Sequence, residues 1–129
     1  MSRPEELQQL SIAWNDAWNS RDLDLLADLM AGDGTYYEPE LSEPTPGRPG
    51  LRAAAEKTWA EWPSATFQLV TLTIQGDRAI VEWRSTATHR SGVQLRLEGV
   101  DVLEWDGDKV KAARVYYDVH QRKTALGGS

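Results

Sequence analysis

Two carboxylates in this chain are candidates for acid/base chemistry. The first is Asp101, in the stretch Val93-Gln94-Leu95-Arg96-Leu97-Glu98-Gly99-Val100-Asp101-Val102-Leu103-Glu104-Trp105. Alternation with period two puts Val93, Leu95, Leu97, Gly99, Asp101, Leu103 and Trp105 on one face of a long strand. The other face, Gln94, Arg96, Glu98, Val100, Val102 and Glu104, is mostly polar. Asp101 therefore shares the apolar face, beside a glycine expected to leave open space. A carboxylate there loses its hydration and must be paired, neutralised or functional. A structural aspartate held by an arginine, a tyrosine or backbone amides is the competing reading. The second carboxylate is Glu38, which follows Tyr36 and Tyr37 and is biased towards extended geometry by Pro39. As a loop glutamate it would carry no role; facing Asp101 across a pocket, it would complete a pair in one apolar cleft. Such a pair can divide the labour, one member ionised as base and the other kept protonated as a hydrogen-bond donor.

Other residues compete for a role around that pair. His89 ends a strand on the same side as the core, near a rim, where a histidine is either a turn residue or a proton carrier. In the last strand Arg114, Tyr116, Asp118 and His120 share one face, and Val115, Tyr117 and Val119 the other. That order leaves Arg114 and Asp118 either in solvent or on a polar part of a cavity, with a cross-strand Asp118–arginine pair as the plain alternative. The chain has six tryptophans and four tyrosines, enough to wall a pocket for a flat hydrophobic molecule as well as to fill a core. Trp14, Tyr36, Trp59, Trp83 and Tyr116 are the expected pocket residues. No cysteine is present, which removes thiol nucleophiles, thiolate metal sites and disulfides. Phosphate-cradling glycine loops, His-x-x-x-His spacing and a nucleophile-elbow serine are missing too. With only His89 and His120, no metal site is expected, and acid/base chemistry on a carboxylate pair requires no cofactor.

The elements that must position these residues are legible from patterning. At 129 residues, 40% hydrophobic and 26% charged, the chain reads as one soluble domain, ordered over about residues 3–121. Its net charge of −6 and lack of a basic stripe argue against nucleic acid as partner. A polar start and no long apolar run argue against a signal peptide or membrane span, so a cytoplasmic location is expected. Ser2 caps a first helix with Pro4, Glu5 and Glu6 in its first turn and Leu7, Leu10, Trp14, Ala17 and Trp18 as its buried stripe. Asp22 opens a short second helix through Met30, which Gly32-Asp33-Gly34 ends before the strand Thr35–Glu38. Residues 39 to 50 form a proline- and glycine-rich loop. A third helix starts near Pro49, with Leu51, Ala55, Thr58, Trp59 and Trp62 on one side. Strands at Thr66–Ile74, Ala79–Thr88, Val93–Trp105 and Val110–His120 follow, joined by short hairpins. The expected fold class is α+β: three N-terminal helices packed in a strongly curved, mostly antiparallel sheet that encloses a cavity. Residues 122 to 129 read as a tail. The Gly-Gly-Ser ending and absent cysteine would also suit an engineered scaffold.

The order of helix, Arg-Asp-Leu-Asp-led helix, Tyr-Tyr-Glu-Pro, Gly-Arg-Pro-Gly helix start, Gly-Val-Asp-Val-Leu-Glu-Trp-Asp-Gly-Asp-Lys-Val and Val-Tyr-Tyr-Asp resembles the SnoaL-like proteins. These belong to the nuclear-transport-factor-2-like cone-fold superfamily, with its polyketide cyclases, ketosteroid isomerases and limonene-type epoxide hydrolases. The resemblance covers about residues 5 to 120. It implies that Glu38 is similar to the isomerase base and Asp101 to both the protonated oxyanion donor of the isomerases and the acid/base aspartate of the cyclases. Trp14 falls at the place of the isomerases' oxyanion-hole tyrosine, and an indole donates one hydrogen bond without acting as a phenol does. Asp101 and Asp118 match acidic positions of the epoxide hydrolases, but Gly99 stands where those enzymes keep an arginine. The reading is an isomerase, cyclase or lyase acting on a small hydrophobic carbonyl compound. The alternatives are a non-catalytic module binding an apolar ligand, a dimerising scaffold, or an epoxide hydrolase-like activity. A homodimer through the outer sheet face is expected, with Val100, Val102, Val115, Tyr117 and Val119 giving that face apolar character.

Overall fold

In the computed structural model, which describes residues 1–127, a curved sheet wraps around helices packed on its inner face. Helix α1 (Arg3–Ser20) begins where Ser2 Oγ accepts from the Glu5 amide at 3.3 Å. It ends at Arg21, whose φ of 58° turns the chain into the left-handed region and lets its amide close on Ala17. Asp22 then caps α2 (Leu23–Asp28), accepting from Leu25 N at 3.1 Å. Both caps lie where the sequence puts them, because a short polar side chain satisfies amides that a helix start leaves open. Leu7, Trp14, Ala17 and Leu26 are buried in the core these helices share with the sheet.

Strand β1 (Met30–Tyr37) is longer than the brief strand expected. Gly32-Asp33-Gly34 does not separate helix from strand. It lies within β1, where the pairing with β6 shifts register between Met30 and Thr35. A bulge absorbs extra residues without ending a strand. The proline-rich segment contains β2 (Thr45–Pro46), which pairs with β1, and leads into α3 (Gly47–Glu61). From there β3 (Thr66–Gln75), β4 (Arg78–Thr88), β5 (Gln94–Asp106) and β6 (Lys109–Tyr117) form an antiparallel meander. The sheet order is β2-β1-β6-β5-β4-β3, with β1 parallel to β6. It is a cone left open between β2 and β3, not a closed barrel.

Two expectations about the chain's end are corrected. The last strand stops at Tyr117, and Asp118 accepts from the Gln121 amide at 3.0 Å to cap α4 (Val119–Ala125). Residues 122 to 125 are thus the second half of a helix, and Gly128 and Ser129 lie outside the described residues. The faces of β6 are also the reverse of those expected. Antiparallel partners point to the same side, and Asp101 pairs with Val115 and Gly99 with Tyr117. Val115 and Tyr117 therefore point inward with Asp101, and Tyr116 points out. The outer face keeps Val100 and Val102 but is crossed by Arg84–Glu98, Arg78–Glu104 and Arg114–Glu104 ion pairs. Among the described residues no helix is long and apolar enough to cross a membrane.

Gly99 does not leave open space either. A Cβ there would come within 2.4 Å of the Trp83 ring and 2.6 Å of the Tyr116 carbonyl oxygen. Trp83, directly across from Gly99 in the β4–β5 ladder, lies over the bare backbone. Gly99→Ala is expected to lower stability by about 1–3 kcal/mol, the range for overpacking a fitted site, read from the urea midpoint. An unchanged midpoint would mean the indole yields without strain.

Candidate functional site

The interior of the cone holds a cavity of about 170 Å³, with Asp101 in its wall. Asp101 is 7% exposed, and both its oxygens are occupied. Trp83 Nε1–H donates to Oδ1 at 2.8 Å and Trp14 Nε1–H donates to Oδ2 at 3.2 Å. Strand β4 supplies one indole and α1 the other, so sheet and helix grip the carboxyl from two sides. No arginine, lysine or histidine pairs with it in the described structure. Burial pushes its pKa up to about 6, and the two indole donors pull the other way by favouring the charged form. The structural alternatives raised by the sequence were an arginine, a tyrosine or backbone amides. The actual partners are two tryptophans, of which neither can neutralise the charge.

Tyr36 lines the same cavity at 5% exposure. Its hydroxyl takes part in none of the side-chain hydrogen bonds around the cavity. Its acidity is suppressed well beyond the usual phenol range, by burial first and then by the charges of Asp101 and Glu38. It stays a protonated donor in the cavity wall. Glu38, half-buried just past β1, lines the cavity and accepts from Tyr117 Oη at 2.5 Å. Glu40 stands 2.9 Å from the same hydroxyl. Burial and the bond to Glu38 hold the Tyr117 phenol protonated as well. The apolar wall is aromatic. Phe67 stands edge-on to Trp83 at 5.3 Å and to Trp18 at 6.0 Å.

Asp101, Glu38, Tyr36 and Trp83 are therefore brought together as expected from the sequence, and the remaining site expectations need correction. Trp14 is fully buried behind Asp101 and touches it without lining the cavity. Trp59 packs edge-on against the far side of Trp18 at 5.8 Å and lies outside the cavity wall. His89 belongs to the β4–β5 turn, where its Nδ1 meets Ser91 Oγ at 2.9 Å and its ring stands against Trp62 at 4.8 Å. Tyr116, 41% exposed, faces outward beside Tyr37. Asp118 is the exposed cap of α4. Tyr117, Trp18, Phe67 and Arg122 line the cavity and were not anticipated there. For Tyr117 the signal existed: Ala113, Val115 and Tyr117 are the apolar phase of β6, and the apolar phase faces the core. Nothing local to Arg122 marks it.

Comparison with known proteins agrees with this fold. The solved structure of a candidate polyketide cyclase from Xanthomonas campestris superposes with a TM-score of 0.89 at 15% identity, covering 97% of this chain and 99% of that one. A protein of ketosteroid isomerase-like fold from Catenulispora acidiphila, solved with trimethylamine, gives 0.84 at 19% identity, covering 93% of each chain. An epoxide hydrolase of limonene-hydrolase-like type from M. tuberculosis gives 0.78 at 15%, covering 95% and 90%. At such identities the likeness is one of fold. No curated protein matches the sequence. The model of the SnoaL-like domain matches residues 12–113, from the middle of α1 to β6, and the chain belongs to that family.

Proposed function

We propose that this protein is a cofactor-independent enzyme of isomerase, cyclase or lyase type, acting on a small hydrophobic carbonyl compound by general acid/base chemistry. The observation that carries the reading is Asp101: a carboxyl with no cationic partner, buried in the wall of an aromatic cavity, where burial raises its pKa to about 6. A base works best when its pKa lies near the working pH. Its two indole bonds favour the ionised form, which reverses the roles expected from the sequence. Asp101 takes the proton from the carbon next to the carbonyl. The C–H electron pair moves into the new C–C double bond as the carbonyl pair moves onto oxygen, where the Tyr36 hydroxyl donates to the growing charge. Returning the proton to a different carbon completes an isomerisation. Glu38 orients Tyr117 at the mouth and is not the first base.

Epoxide opening is disfavoured because the second acid it would use, Asp118, is tied to the start of α4 outside the cavity. A purely binding module would show the same walls without turnover. The test is exchange of the α-protons of cyclohexanone in D2O, followed by NMR. The protein is expected to accelerate exchange over matched buffer, and Glu38→Gln should retain most of that acceleration. Exchange at the buffer rate, with the ketone shown to be bound, would leave only the binding module.

A further inference from the structure

The cavity is walled by β1, β3, β4, β5 and β6 together with α1, α3 and neighbouring loops, and one side chain from the last helix joins that wall. Arg122 on α4 is largely buried and lines the cavity beside Glu40 and Glu61. It forms an ion pair with Glu40, beyond the end of β1, and another at 3.2 Å with Glu61, the last residue of α3. It also donates to Tyr117 Oη at 3.2 Å. The guanidinium carbon lies 5.9 Å from the ring centre of Trp62 and 5.8 Å from that of Tyr117. Three elements are thus tied together by a planar cation between two aromatic rings. An isolated surface pair would contribute little, but a forked donor in a half-buried network with ring contacts holds its geometry better.

The space that this network borders is small. An apolar cavity of about 150 Å³ accommodates benzene, and the present one is about 170 Å³. One ring with a carbonyl and about one further substituent fills it, and a second fused ring must project through the mouth. We infer that the pocket takes single-ring carbonyl compounds and that Arg122 is the residue that sets this limit. A larger ligand has to displace the guanidinium and leave Glu40 and Glu61 without their shared cation. This inference rests on the cavity being the substrate pocket of the proposed enzyme.

The experiment is a calorimetric titration of the intact protein with cyclohexanone, 1-tetralone and 9-fluorenone. With no size limit, affinity climbs with ring number because each ring buries more apolar area. The wild-type protein is expected to reverse that order, binding the three-ring ketone at least about tenfold more weakly than the one-ring ketone, a margin of about 1.4 kcal/mol. Arg122→Ala should restore the climb by tightening the three-ring ketone at least tenfold relative to the one-ring ketone. Affinity that rises with ring number in the wild type overturns the size limit and leaves the proposed function standing. An unaltered order in a folded Arg122→Ala protein overturns the role of Arg122. Should no ketone bind, the proposed function falls together with the inference. The wild-type order decides the size limit even if the variant fails to fold.

Discussion

Asparagine in place of Asp101 is expected to lower ketone proton exchange by about 10²–10⁴-fold, the usual contribution of a positioned general base. The same substitution should alter how stability depends on pH, in the opposite direction from a damaged core. In the folded protein Asp101 titrates near 6, against about 3.9 in an unfolded chain. A raised folded pKa contributes stability that is complete below the unfolded value and is lost as pH rises through the folded one. Between about pH 4 and 7.5 the wild-type protein should therefore lose roughly 2 kcal/mol through this group alone. Asparagine cannot ionise, so the variant should lack that decline. Urea denaturation at both pH values reads the difference between the two slopes. Parallel pH trends in the two proteins would mean that Asp101 titrates as an ordinary surface aspartate, and the proposed base would go with it. A rate that falls while the neutral-pH penalty disappears separates function from fold.

The sequence carried the fold further than the site, and the reason is physical. The alternation in β5, the Ser2 and Asp22 caps and the hairpin turns are local, and local rules placed them to within a residue or two. Asp101 on the apolar face of β5 followed from period two alone. Which face of a neighbouring strand joins it depends on cross-strand register, and Tyr116 was put in the pocket where Tyr117 stands. Trp14 and Trp59 carry the composition of pocket residues, but one backs the acid and the other backs Trp18. Composition counts aromatic rings without saying which side of a wall they occupy. Arg122 sits in a stretch with no periodicity to read, because a seven-residue helix shows barely two turns. Its importance arises from partners far away in sequence at Glu40 and Glu61.

Those distant contacts also decide how Asp101 can act, and Trp83→Phe isolates the decisive one. Phenylalanine keeps an aromatic side chain in the wall but gives up the outer indole edge that lies over Gly99 and, with it, the shorter of the two indole bonds to the carboxyl. A hydrogen bond to a charged group contributes about 1.5–3 kcal/mol, which corresponds to about one to two pH units. The midpoint of Asp101 should climb from about 6 to roughly 7–8 on that arithmetic. At pH 7 much of the variant would then hold its base protonated and exchange slowly. At pH 9 the carboxylate would be restored, and the rate should return close to the wild-type plateau. Asp101→Asn, by contrast, should have no plateau at any pH. The linked stability moves the same way: with the folded midpoint higher still, Trp83→Phe should lose more stability than the wild type between pH 4 and 9. The pH–rate profile is the deciding measurement. A variant whose midpoint stays near 6 while its plateau drops would show that Trp83 only shapes the wall, and that its N–H is not what keeps the buried acid ionised. Trp14, donating from the longer distance, should show the same displacement in smaller measure, since both bonds favour the same charged form from opposite sides of one carboxyl.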